Sequence, residues 1–136
     1  MFFKKLLPAF LWAILILVLS ELPGKNFSEF DFSFLAFLKL DKIIKPDKIV
    51  HMYLYCVQVF FLISGLSNQN SLKFLKKNPV IISILLSGLY GYLMEILQRD
   101  FFIGRSYDIK DVLANVTGSF IGWFVYLFYI KKISKE

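Results

Sequence analysis

Residues 90–122 read YGYLMEILQRDFFIGRSYDIKDVLANVTGSFIG, an apolar run that ends in Glu95 and Gln98 followed by one that begins with Asp108, Asp111 and Asn115. Ionisable groups beside a bilayer are costly, and chains that keep several use them for function or pair them. Whether a bilayer is involved follows from the rest of the chain. Of its 136 residues 57% are hydrophobic, 16 are Phe, and the mean hydropathy is +0.63. Such a chain is too apolar for an ordinary soluble domain and reads as an integral membrane protein, one domain over 1–136.

Four runs are long enough to cross, at about 6–22, 48–66, 79–97 and 111–130. A helix rises 1.5 Å per residue, so roughly 20 residues span a hydrocarbon core of about 30 Å. The expected fold is therefore all-α, a bundle of four transmembrane helices. The first run, behind Lys4 and Lys5, has the look of a signal peptide but lacks a clear small-residue cleavage site, so a retained helix is expected. Cys56 is the single cysteine and can form no intrachain disulfide.

The net charge of +6 suggests nucleic acid only superficially, because no basic stripe interleaves with aromatics; no nucleic-acid partner is expected. Lysines instead mark topology. Lys4 and Lys5, then Lys73, Lys76 and Lys77, then Lys131, Lys132 and Lys135 fall on one side of a four-span chain. By the positive-inside rule both termini are expected to be cytoplasmic, against which stand Lys25, Lys39, Lys42 and Lys45 in the segment between the first two helices, interleaved with Glu29, Asp31, Asp41 and Asp47. The segment at about 27–44 carries Phe27, Phe30, Phe34 and Phe37 on one helical face, as expected of an amphipathic helix in the outer interface. The alternation of Phe30, Phe32 and Phe34 also permits a short strand.

Positions three, four, seven or eight apart share a helical face. Asp47, His51, Tyr55 and Gln58 form one stripe; Ser87, Gly91, Glu95 and Gln98 a second; Asp108, Asp111, Asn115, Gly118 and Gly122 a third, Asp108 joining only if its helix reaches back that far. His51, Glu95 and Asn115 agree in depth, each about one turn in from the outer end. The three stripes can pool into one outward-facing polar pocket under the link that holds Arg99, Asp100 and Arg105. Gly118 and Gly122 form a small-xxx-small pair that suits close packing within the chain or a homo-oligomer; Gly88 and Gly91 offer another close approach.

The chemistry admits more than one reading. His51 can act as a general base beside Asp47 and Tyr55, and Glu95 as proton donor or acceptor, which makes these two the catalytic candidates. Both also fit a structural role, His51 as an interhelical hydrogen-bonding residue and Glu95 in an ion pair with Arg105. Asp47, Tyr55, Gln98, Arg105, Asp111 and Asn115 are the expected ligand-binding set. With one histidine, no thiolate cluster and no His-Glu-x-x-His spacing, no metal and no cofactor is expected. Ser20 and Ser64 have no triad partners in view, and the Asn115-Val116-Thr117 sequon lies inside a helix.

DKIVHMYLY, GYLMEILQ and GRSYDIKDVLANVTGSFIG together resemble the VanZ-like family, in which Asp-Lys-x-x-His, Glu-x-x-Gln and Arg followed by Asp-x-x-x-Asn-x-x-Gly stand on consecutive helices. The matching positions are Asp47, Lys48, His51, Glu95, Gln98, Arg105, Asp111, Asn115 and Gly118, and SELPG at 20–24 is similar to the end of that family's first helix. The resemblance omits the Phe-rich segment and the lysine tail. It implies a small bacterial protein of the cytoplasmic membrane associated with resistance to teicoplanin, a glycopeptide with a fatty-acyl tail. Two functions follow as expectations. One is binding of an amphiphile, a membrane lipid or a lipoglycopeptide, with Arg105 meeting an anionic group. The other is a membrane-embedded hydrolase or transferase acting on a lipid or lipid-linked headgroup. A transporter is less favoured, because no inverted repeat is visible.

Overall fold

In the computed structural model the described residues are 2–21, 45–101 and 108–133. They form α1 (Phe2–Glu21), α2 (Pro46–Asn68), the short α3 (Lys73–Lys77), α4 (Pro79–Phe101) and α5 (Ile109–Ile133), with no strand among them. The Phe-rich segment at 27–44 and Arg105 lie outside the described residues. α1, α2, α4 and α5 are each long and apolar enough to cross a membrane. They overrun the apolar runs at several ends, because a helix continues through polar residues once its hydrogen-bond ladder is started. Pro46 and Pro79 stand at the first helical position, where a missing amide hydrogen costs nothing. Asp108 caps α5 from outside: its carbonyl accepts from the Asp111 amide at 2.9 Å, and its Oδ1 accepts from the Lys110 amide at 2.9 Å.

The buried polar side chains lie in the interior beside an apolar cluster of Ile16, Leu54, Tyr55 and Met94, and the exterior is apolar, as a hydrocarbon solvent demands. Gln58, Ser83, Ser87, Glu95, Gln98, Asn115 and Ser119 are all buried, whereas Leu85, Leu89, Phe120, Phe124 and Phe128 face outward. α2 and α4 form the middle of the bundle, with α5 packed against both on one side and α1 on the other. α1 is fastened by polar bonds as well as by Ile16. Trp12 donates to the Leu54 carbonyl at 2.9 Å, Tyr90 to that of Ala13 at 2.6 Å, and Gln98 to that of Ser20 at 2.9 Å.

Two registers position the site. α2 and α5 run parallel, with Gly118 over the backbone of Met52 and Gly122 over that of Cys56. A Cβ at either glycine would overlap the facing carbonyl oxygen, so the small-xxx-small pair is spent on packing within the chain. α4 and α5 run antiparallel. Ser87 meets Ser119 at 3.1 Å, Gly91 lies against Asn115, and Glu95 comes level with Asp111, four residues per step on each helix. Gly88, by contrast, has nothing within reach of a Cβ. The N-terminus of α1 approaches Gly65 near the end of α2. Lys4, Lys5, Lys73, Lys76, Lys77, Lys131 and Lys132 therefore stand toward one end of the bundle. The starts of α2 and α5 and the finish of α4 meet at the other.

Candidate functional site

At that second end the helices bring their ionisable groups together. Lys48, in the first turn of α2, is the hub. Its ammonium donates to Asp47 Oδ2 at 3.0 Å, to Asp108 Oδ2 at 2.8 Å and to Asp111 Oδ1. The Lys48 side chain is 11% exposed and that of Asp111 14%, against 45% for Asp47 and 39% for Asp108, so the Lys48–Asp111 contact is the sheltered one. Asp108 serves two purposes, since the oxygen that does not cap α5 binds Lys48. The ammonium and the Lys110 amide hold its carboxyl below the usual carboxylate range. That contact stabilises the fold at neutral pH and stops doing so as pH falls through the lowered value.

One turn deeper, His51 Nδ1 stands 2.9 Å from Asn115 Oδ1. An amide oxygen only accepts, so Nδ1 carries the proton and the lone pair lies on Nε2. Nε2 points toward Asp111 Oδ1, 3.8 Å away and beyond hydrogen-bond reach. Glu95 completes the group from α4. It is 1% exposed, and neither of its carboxylate oxygens has a hydrogen-bond partner among the described residues. One donor atom each from His51, Glu95 and Asp111 lies within 4.8 Å of the other two.

Of the expected site residues, His51, Glu95, Asp47, Asp111 and Asn115 thus converge on one charged cluster. Tyr55 lies below it, buried against Gly91, with its hydroxyl unpartnered among the described residues. Gln98 shares the Glu95 stripe but turns to α1, where it bonds the Ser20 carbonyl. Arg105 is outside the described residues. Lys48 was not among the expected ligand-binding residues, although it stands in the DKIVH motif; a lysine in the first turn of a membrane helix ordinarily reaches back to the interface, and only the approach of α5 reveals its carboxylate partners.

A bundle of four helices long and apolar enough to cross a membrane, with a cluster of lysine, histidine and carboxylates at one end, defines a small multi-pass membrane protein. The chain belongs to the VanZ/LLP1 family, whose model matches residues 5–130. No curated protein and no solved structure matches it.

Proposed function

We propose that the charged end of the bundle binds the polar head of an amphiphile at the outer leaflet of the bacterial cytoplasmic membrane, and that this binding lowers susceptibility to lipoglycopeptides such as teicoplanin. The observation that carries the reading is Glu95. A buried carboxyl group with no partner among the described residues costs about 1–3 kcal/mol, so a chain that keeps one gains elsewhere. Unused acceptors just beneath the half-exposed Asp47 and Asp108 suit a headgroup rich in donors: an ammonium, sugar hydroxyls or amide hydrogens.

Orientation supports the outer leaflet. Lys4, Lys5, Lys73, Lys76, Lys77, Lys131 and Lys132 stand at the opposite end, which the positive-inside rule would assign to the cytoplasm together with both termini, whereas at the charged end Lys48 is taken up by carboxylates. The family's association with teicoplanin supplies the phenotype, and an acyl-tailed glycopeptide has the two-part chemistry that a polar site beside lipid-facing Leu and Phe side chains would accommodate.

A second reading, hydrolysis or group transfer on a lipid-linked headgroup, is favoured by the His51–Asn115 bond. It orients an imidazole with a free Nε2 beside two carboxylates, as a general base requires.

The test is teicoplanin and vancomycin susceptibility of a sensitive Gram-positive host expressing the wild type or Glu95→Gln at matched membrane levels. Selective teicoplanin protection by the wild type and its loss in Glu95→Gln is expected. Absence of protection by the wild type would sink the resistance role, and equal protection by both would remove Glu95 from it. Turnover of a labelled lipid-linked precursor by purified protein separates the two readings.

A further inference from the structure

We propose that His51, Glu95 and Asp111 bind a divalent cation of the class that takes one imidazole nitrogen with carboxylate oxygens, such as Mn2+ or Zn2+. The inference concerns the cluster on which the functional reading rests, but it stands on geometry and is tested on purified protein, apart from any resistance phenotype.

Three observations converge. The donor atoms of the three side chains lie within 4.8 Å of one another although they come from three different helices. Bonds of about 2.0–2.2 Å to a shared ion set ligands roughly 3–4 Å apart, so small side-chain rotations close the site. Next, each of the three side chains brings a lone-pair donor to the cluster, Asp111 Oδ1 also accepting from Lys48. His51 has its proton on Nδ1, both oxygens of Glu95 are unpartnered among the described residues, and Asp111 offers a carboxylate. Lone pairs that converge repel one another, and a cation is the ligand that reverses the sign. Finally, Glu95 stands outside the ion pairs. Asp47, Asp108 and Asp111 share the Lys48 ammonium and Lys110 also acts on Asp108, while neither Glu95 oxygen has a hydrogen-bond partner among the described residues.

The surroundings are those of a metal ligand set. Asn115 Oδ1 holds the far nitrogen of His51, which fixes both the tautomer and the ring plane. Lys48 binds Asp111 and holds that carboxylate in place. Partners of this kind orient ligands, and their removal lowers metal affinity about 10–100-fold. One nitrogen among oxygens selects against Ca2+ and Mg2+, which take oxygen alone, and the lack of a thiolate selects against soft ions. Three protein ligands leave coordination positions open for water or for an anionic or carbonyl oxygen of a headgroup. The absence of a metal-binding spacing in the sequence is no obstacle, since the donors meet only when α2, α4 and α5 pack.

The experiment uses full-length protein in detergent, stripped with chelator and titrated with Mn2+ and, separately, Zn2+. The expected result is about one ion bound per chain, a raised melting temperature, and nitrogen modulation in the Mn2+ spin-echo signal. Glu95→Gln and Asp111→Asn are expected to weaken binding roughly 100-fold, Asn115→Leu about 10–100-fold, and His51→Gln to abolish the nitrogen modulation. Cys56→Ser, which removes the one thiol, is expected to bind as the wild type does. Folded wild-type protein that binds neither ion would overturn the proposal, as would binding that survives in both His51→Gln and Glu95→Gln. Metal binding without teicoplanin protection would refute the functional reading alone; protection by a protein that binds no ion would refute the metal site alone.

Discussion

His51 and Asn115 face each other across the parallel pair α2 and α5, with Nδ1 2.9 Å from Oδ1. This is the chain's one histidine, so its nitrogen NMR signals are unambiguous. The wild type is expected to show the tautomer protonated at Nδ1. Asn115→Leu should give a mixture of tautomers while the helical signal is retained; an unchanged tautomer would show that Asn115 does not orient the ring.

Gly118 and Gly122 have no room for a Cβ, since the carbonyl oxygens of Met52 and Cys56 occupy the space. Gly118→Ala and Gly122→Ala are each expected to destabilise the bundle by about 1–3 kcal/mol or more through overpacking. Gly88→Ala, whose Cβ meets nothing, is expected to be neutral or to stabilise by roughly 0.5–1 kcal/mol. Reversible unfolding in mixed detergent measures all three, and equal effects at Gly88 and Gly118 would refute the parallel register.

Lys48→Met leaves the sheltered Asp111 carboxylate without its cation and is expected to cost about 3–5 kcal/mol. Asp47→Asn removes a half-exposed partner and is expected to cost about 0–1 kcal/mol. The double variant Lys48→Met/Asp111→Leu should recover much of the single loss. A Lys48→Met protein as stable as the wild type would show that the hub is not structural.

Trp12→Phe and Tyr90→Phe each delete one hydrogen bond between α1 and its neighbours. Each should lower stability by about 0.5–1.5 kcal/mol. Cross-linking or hydrogen exchange of α1 is the sharper readout, because Gln98 and Ile16 still hold it. Unaltered exchange along α1 in the double variant would mean that apolar packing alone fastens it.

The fold was legible because each crossing helix is a long apolar run, but depth was legible only for His51 and Asn115, which meet at one level, whereas Glu95 comes level with Asp111, one turn nearer the end of the bundle. What spacing does not carry is direction around the helix to better than a face. Gln98 shares the Glu95 stripe yet reaches Ser20, because α1 packs on that flank of α4. Gly88 and Gly91 read alike in the sequence, but only Gly91 lies against Tyr55 and Asn115. The choice between chain-internal packing and an oligomer at Gly118 and Gly122 needed the register of α2. Lys48 was hidden for the same reason: its three carboxylate partners include Asp108 and Asp111, about 60 residues away in sequence.

The central claim is that Glu95 is buried for what it binds and not for what it holds together. Replacement by a group of similar shape and no charge tests this most directly, as unfolding of Glu95→Met against the wild type, both in chelator. The account predicts a variant at least as stable, with a gain of about 1–3 kcal/mol from removing an unpartnered buried polar group. A loss of that size would mean that Glu95 has a structural partner in the folded protein, and would contradict the account.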